Sequence, residues 1–130
     1  MIEKRKLKTY KDLIAWQKSY SLCLEIYRAT KIFPQSEQYG LTAQMKRSAL
    51  SVPSNIAEGY VRHGTRDYIR FLYIAYASLA ELETQLLLAK DLGYIKSDDF
   101  KQIIGLQNEV QRVMRGLIES LKSRSSQNAL

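Results

Sequence analysis

The arginines that follow the second helical segment are the clearest candidates for a site that binds anions. Arg62, Arg66 and Arg70 recur every four residues, and on a helix this spacing places Arg66 and Arg70 on one face. Three tyrosines lie nearby in the sequence: Tyr60, Tyr73 and Tyr76. Arginines interleaved with aromatic rings favour nucleic-acid binding, because guanidinium groups contact phosphates and rings stack on bases. The alternative is that these arginines form salt bridges with Glu58, Asp67 or a neighbouring subunit.

Two further pairs of basic residues extend this candidate surface. Lys46 and Arg47 belong to the second helical segment and can approach the arginines from there. Arg112 and Arg115 give the fourth segment a basic face, for which the alternative is an ordinary solvated face. The sequence therefore predicts an RNA- or DNA-binding surface formed by Lys46, Arg47, Arg62, Arg66, Arg70, Arg112 and Arg115.

The second candidate site is the run that contains Pro53, Asn55, Glu58 and Gly59. A proline inside a helix frees the carbonyl one turn earlier, and Ser54 or Asn55 can satisfy that carbonyl or a neighbouring chain. We expect Glu58 to pair with Arg47 or with an arginine on the third helix. These residues form either a binding or catalytic motif, or a polar network that fixes a helix bend and a subunit interface. The network is favoured, because buried polar groups must be paired.

Residues that support catalysis or metal binding are too few and too dispersed. His63 is the only histidine and lies at a corner beside a glycine, whereas Cys23 is the only cysteine and lies on an apolar stripe. One histidine and one cysteine do not form a metal site in the usual spacings. Glu81 and Glu83 point to different faces of a helix, and no glycine-rich phosphate loop is present. We therefore predict no catalytic residue, no metal and no cofactor, and a protein that is not an enzyme.

Composition and charge favour one soluble domain with an affinity for polyanions. The chain has 130 residues, of which 45% are hydrophobic and 25% charged. Its net charge is +7, and residues 1–31 hold eight lysines and arginines against three acidic residues. No apolar run approaches the ~20 residues of a membrane span, no signal peptide is visible, and one cysteine excludes an internal disulfide. These features predict a cytoplasmic protein.

Four helical segments must position the candidate residues. Apolar periodicity and capping residues predict helices over residues 10–32, 36–59, 65–92 and 97–123, with a flexible basic arm over 1–9 and a frayed tail over 124–130. Short connections predict an all-α, up-down-up-down four-helix bundle in a single domain. Gly105 and Gly116 should weaken the fourth helix by about 1 kcal/mol each, unless a neighbour packs closely there.

The third helix is apolar on nearly every face. A 4-3 spacing, typical of a helix packed lengthwise against others, relates Tyr68, Leu72, Ala75, Leu79, Leu82, Leu86 and Ala89. Further apolar residues, among them Ile74, Leu87 and Leu88, lie off this stripe. We expect the other three helices to leave part of this surface uncovered, and other copies of the chain to cover it.

Residues 51–59, with the sequence SVPSNIAEG, resemble the signature of a bacterial family of four-helix-bundle proteins, the 23S rRNA intervening-sequence proteins. Further matching blocks extend over nearly the whole chain and include Asp12-Leu13, Trp16-Gln17-Lys18, Phe33-Pro34, Tyr39-Gly40-Leu41 and Leu92-Gly93-Tyr94. Where the family pattern usually has glycine before Ser78, this chain has Ala77. The resemblance implies a homo-oligomer, typically a ring of five bundles around a central channel. It also implies a relation to accessory proteins of diversity-generating retroelements, which bind a reverse transcriptase and nucleic acid.

Two functions follow from the residues and the resemblance together. The first is a non-enzymatic homopentameric scaffold that binds RNA or DNA through its basic surface. The alternative is a protein–protein adaptor, for example an accessory subunit of a reverse transcriptase, with little nucleic-acid binding of its own.

Overall fold

The computed structural model describes residues 7–129 of the chain, and the side chains of residues 7–125. It contains four α-helices: α1 (Ile14–Ala29), α2 (Leu41–Val61), α3 (Thr65–Asp91) and α4 (Ser97–Ala129). Each helix packs against the next one along the chain, and α4 also packs against α1. The predicted all-α, up-down-up-down four-helix bundle is confirmed, and no strand occurs within residues 7–129.

The first two helices begin later than predicted. Tyr10–Asp12 forms a 3-10 turn, in which the Thr9 backbone N–H donates to the Asp12 carboxylate at 3.1 Å. The extended backbone of Leu13 separates this turn from α1. Two further 3-10 turns, Thr30–Ile32 and Gln35–Glu37, then separate α1 from α2. Single 3-10 turns of this kind satisfy backbone groups at helix ends, and apolar periodicity does not distinguish them from an α-helix.

The last helix is longer than predicted. α4 continues to Ala129 instead of giving way to a frayed tail after residue 123. Residues 124–129 contain no glycine or proline, so no residue there stops the helix. Leu130 and residues 1–6 of the predicted basic arm lie outside the described residues.

The predicted stripe of α3 forms the centre of the core. Six of its residues have no exposed surface, namely Leu72, Ala75, Leu79, Leu82, Leu86 and Ala89, and Tyr68 is half-buried. α4 is joined to α3 by Gln107, a fully buried side chain whose amide N–H donates to the Leu79 carbonyl at 2.7 Å. A single bundle leaves Ile74, Leu87 and Leu88 between 41% and 49% exposed. That other copies cover these side chains stays a prediction.

Candidate nucleic-acid interface

The turn between α2 and α3 brings two of the predicted arginines together. Arg62 directly follows α2 with an extended backbone, and Gly64 precedes α3 with a φ of +92°, which glycine adopts without strain. The guanidinium carbons of Arg62 and Arg70 lie 4.8 Å and 4.5 Å from the centroid of the Phe71 ring. Both are cation–π distances, so one buried ring holds two arginines in place. We call Arg62, Arg66, Arg70 and Phe71 the basic corner.

Two carboxylates also contact the basic corner. Glu58 pairs with Arg62 at 2.6 Å, and Asp67 accepts hydrogen bonds from Arg70 at 3.1 Å. The alternative interpretation, in which these arginines form salt bridges with Glu58 or Asp67, is therefore correct for Arg62 and Arg70. The expected pairing of Glu58 with Arg47 or with an arginine on the third helix is wrong, because Arg62 lies in the turn, one helical turn after Glu58. The hydrogen bond to Glu58 raises the pKa of Arg62. Both ion pairs face solvent, where water and salt weaken them, so the arginines stay accessible to another anion.

Arg66 completes the basic corner. It is exposed and has no carboxylate within ion-pair distance in the described part of the chain. Arg66 and Arg70 line one shallow depression together with His63 and Asp67, so these two arginines share a face as predicted. The corner as a whole presents three guanidinium groups against two carboxylates.

Gly59 allows α2 to approach α3 closely beneath the corner. A β-carbon at this position would lie 2.9 Å from the Phe71 Cβ and 3.1 Å from the Tyr68 backbone oxygen. Real β-carbons essentially never approach another atom to less than 3.0 Å, as the contact with Phe71 would require, so the observed crossing of the two helices requires glycine. Gly59 therefore sets the position of Phe71, and through Phe71 the positions of the two arginines.

Asn55 belongs to a polar network between the same two helices. Its amide donates to the Ser51 carbonyl at 2.8 Å and to the Ser51 hydroxyl at 2.9 Å. The Ser51 and Ser78 hydroxyls share a hydrogen bond of 2.8 Å across α2 and α3. Asn55 therefore does not satisfy the carbonyl that Pro53 frees, which belongs to Ala49. Asn55 and Gly59 therefore contribute to the contact between α2 and α3, and the interpretation of the whole run as a structural network stays a prediction.

Lys46 and Arg47 lie far from the basic corner. The Lys46 ammonium is 5.1 Å from the centroid of the Tyr27 ring, on the α1 side of the bundle. Arg47 is exposed and makes no ion pair among residues 7–125. Arg62 follows Lys46 by sixteen positions, which is about 24 Å along the axis of α2. The expectation that this pair joins the corner arginines is wrong.

A second basic site lies where α3 and α4 meet. Arg115 donates a hydrogen bond to the Tyr76 hydroxyl at 3.0 Å, and Lys122 donates one to the Tyr73 hydroxyl at 3.0 Å. These hydrogen bonds raise the pKa values of Arg115 and Lys122. We call this site the α3–α4 groove; it is lined by Tyr73, Tyr76, Arg115, Ile118, Glu119 and Lys122. The two tyrosines therefore accept hydrogen bonds from α4 and do not belong to the basic corner.

Sequence reasoning missed Lys122, although a signal for it existed. Lys122 follows Arg115 by seven residues, or two helical turns, and therefore lies on the same face of α4. The predicted end of this helix at residue 123 placed Lys122 in its last turn, whereas α4 continues beyond it to Ala129. Arg112 is exposed three residues before Arg115 and makes no ion pair in the part of the chain with described side chains.

Tyr68, which lies beneath the basic corner, gives the stability of the fold a measurable pH dependence. Its hydroxyl is buried without a hydrogen-bond partner among the described residues, and burial raises the pKa of Tyr68 to about 12. An unfolded tyrosine loses its proton near pH 10, so the neutral phenol stabilises the fold below pH 10, and this contribution is lost as pH rises towards 12. We expect the free energy of unfolding to fall with pH above 10, and to fall less steeply in Tyr68→Phe.

Urea denaturation of both proteins between neutral pH and pH 11 measures this difference. At neutral pH the two proteins should be about equally stable, because the substitution removes a hydroxyl that has no partner. Parallel pH dependences in the two proteins would show that Tyr68 ionises freely in the folded state.

Other features of the described residues bear on the remaining predictions. No three histidine, cysteine, aspartate or glutamate side chains among them lie close enough together to hold a metal ion. Cys23 is buried, which raises the pKa of its thiol, and His63 is exposed between α2 and α3. None of the helices within this part of the chain has the length and apolarity that a membrane crossing needs.

Comparisons with known proteins extend the description. A family model described as 23S rRNA-intervening sequence protein matches residues 11–116. A crystal structure of a protein with unknown function, from the S23 ribosomal protein family of Bacteroides thetaiotaomicron, superposes with a TM-score of 0.76 at 24% sequence identity. The superposition covers 84% of this chain and 98% of that chain, and at this identity it shows the fold alone. No curated protein matches the chain.

Proposed function

Because the chain belongs to the family of 23S rRNA-intervening sequence proteins, we propose that it is a non-enzymatic, homo-oligomeric scaffold that binds RNA or DNA through its basic surface. The proposed assembly is a pentamer, and the proposed location is the cytoplasm. The observation that supports nucleic-acid binding most directly is the basic corner, where Arg62 and Arg70 contact one buried phenylalanine ring and the exposed Arg66 lines the same depression as Arg70.

The basic corner suits phosphate for two reasons. Contact with the Phe71 ring restrains Arg62 and Arg70, so less side-chain entropy is lost when a ligand binds. A phosphate can also replace the solvent-exposed carboxylates of Glu58 and Asp67, since ion pairs in water are weak. Guanidinium groups bind phosphate oxygens through paired N–H donors.

Assembly of several copies would increase the affinity of the protein for nucleic acid. The exposed apolar side chains of α3, namely Ile74, Leu87 and Leu88, form the surface that we propose other copies cover. Five copies would carry a formal charge of about +35, five times the +7 of one chain. Several basic corners on one particle would bind one nucleic-acid molecule together, with a gain from their high effective concentration.

The second candidate function is an adaptor for another protein, such as a reverse transcriptase. Tyr20, Leu24 and Tyr27 follow one another at helical spacing on α1 and are 38–47% exposed. An exposed apolar stripe of this kind suits the side of a partner helix. In this case the partner would hold the nucleic acid, and the purified protein would bind little RNA or DNA by itself.

Light scattering of the purified protein, alone and with an RNA oligonucleotide, tests the proposed function. We expect a particle of about 75 kDa, five times the 15.0 kDa of the chain. The mass should rise further with RNA at low salt, and this rise should disappear at high salt. A 15 kDa particle would refute the scaffold, and an oligomer that takes up no RNA or DNA would favour the adaptor.

A further inference from the structure

The α3–α4 groove differs from the basic corner in the groups that its cations contact, which are tyrosine hydroxyls and not carboxylates. In the described part of the chain the four ion pairs occupy Lys18, Arg28, Arg62 and Arg70 with carboxylates. Arg115 and Lys122 instead donate to tyrosine hydroxyls, each at 3.0 Å. A neutral phenol orients a cation and leaves its charge in place, whereas a carboxylate cancels that charge.

Most hydrogen-bonding capacity of the groove remains unused by these contacts. An arginine has five N–H donors and a lysine ammonium has three, and each side chain uses one of them on a tyrosine. Glu119 is the single carboxylate that lines the groove, and its charge attracts Arg115 and Lys122 although no ion pair joins it to either. The groove therefore presents two oriented cations with one carboxylate beside them.

An exposed aromatic ring lies beside these cations. Tyr73 is 46% exposed, and the Lys122 ammonium lies 5.6 Å from the centroid of its ring. Base faces are covered by stacking inside a duplex but are accessible in a single strand, so an exposed tyrosine ring beside cations favours single strands. Phosphate contacts alone would not distinguish the two forms.

We propose that the α3–α4 groove is a second nucleic-acid contact, in which Arg115 and Lys122 bind phosphates of a single strand and the exposed part of the Tyr73 ring stacks on a base. This inference rests on the proposed function and adds to it the class of strand. It assigns a binding role to Lys122 and Tyr73, and makes Tyr76 the residue that positions Arg115.

Fluorescence anisotropy of the full-length protein with a labelled single strand, and with the duplex of the same sequence, tests this site. The double variant Arg115→Gln/Lys122→Gln should bind the single strand about 10-fold more weakly. The slope of log affinity against log salt should become shallower by about 1.4, since each lost contact to a single strand accounts for about 0.7. Tyr73→Leu should weaken single-strand binding by roughly 5-fold or more and leave duplex binding unchanged.

A matched control is Lys96→Gln/Lys101→Gln. It removes the same charge from two exposed residues at the N-terminal end of α4, away from the groove. Circular dichroism verifies that all variants are folded. Groove and control variants that bind the single strand equally would overturn the groove as a contact, while the proposed function would stand on the basic corner. Equal losses for single strand and duplex, with no effect of Tyr73→Leu, would overturn the assignment to single strands.

Two further outcomes separate this inference from the proposed function. A native protein that binds neither form of nucleic acid would overturn both. The second outcome comes from a titration with inorganic phosphate, followed by the NMR signals of Arg115 and Tyr76. If phosphate shifts these signals in a protein that binds no oligonucleotide, the groove is a site for small anions. The assignment to nucleic acid is then wrong.

Discussion

Replacing Gly59 with valine should lower the free energy of unfolding by more than about 3 kcal/mol, and replacing it with alanine should lower it by about 2 kcal/mol. An added β-carbon would meet the Phe71 Cβ at 2.9 Å and the Tyr68 backbone oxygen at 3.1 Å. Neither atom is the flexible end of a side chain, so α3 itself must move away from α2. The loss should exceed the gain of about 1 kcal/mol that alanine brings to a helix interior. Urea denaturation followed by circular dichroism measures all three proteins.

Gly105 and Gly116 provide matched controls for this prediction. Both lie inside α4, and a β-carbon at either position would meet nothing within 4 Å beyond the helix's own backbone and the adjacent residues. Alanine at each should therefore raise the free energy of unfolding by up to about 1 kcal/mol. If Gly59→Ala stabilised the protein as much as these controls, the close crossing of α2 and α3 would not exist in solution.

Reversing the charge of Arg66 and Arg70 should weaken RNA or DNA binding by about 100-fold, or about 2.7 kcal/mol. The double variant Arg66→Glu/Arg70→Glu replaces two cations on one face of α3 with carboxylates beside Asp67. In an oligomer the same change recurs in every copy, so several contacts are lost together. Anisotropy titrations against one oligonucleotide at fixed salt compare the variant with the native protein.

Lys96→Glu/Lys101→Glu changes the net charge by the same amount at exposed positions away from the corner. This control isolates the effect of position, because the overall charge also steers and attracts a polyanion. A much smaller loss in the control would locate binding at the basic corner. Equal losses in the two variants would mean that charge alone matters, and the corner would then not be the interface.

The fold could be predicted from the sequence because its signal is local and periodic. The stripe from Tyr68 to Ala89 in α3 follows the helix repeat, and Gly64 and Gly93 mark its ends with positive φ values. The boundaries of α1 and α2 were less predictable, because 3-10 turns such as Gln35–Glu37 interrupt a pattern that looks continuous in apolar residues.

The candidate site was only partly predictable, because its contacts depend on how helices cross. The spacing of Arg66 and Arg70 correctly placed them on one face of α3. No periodicity indicates that the Phe71 ring contacts both Arg62 and Arg70, since this depends on the turn at Gly64 and the close approach at Gly59.

The contacts of the α3–α4 groove also depend on how the helices pack, and the sequence did not predict them. Tyr73 and Tyr76 are near the corner arginines in sequence, but their hydroxyls meet Lys122 and Arg115, which are 49 and 39 residues away. Sequence distance favoured the wrong partners, because side chains on neighbouring faces of one helix contact different helices.

The salt dependence of RNA affinity for the native, assembled protein tests nucleic-acid binding by a basic scaffold most directly. We expect the affinity to fall at least 10-fold between about 50 and 200 mM salt, because several arginines release counterions from phosphates. An affinity that does not change over this range, or no measurable binding at the lower salt concentration, would contradict it.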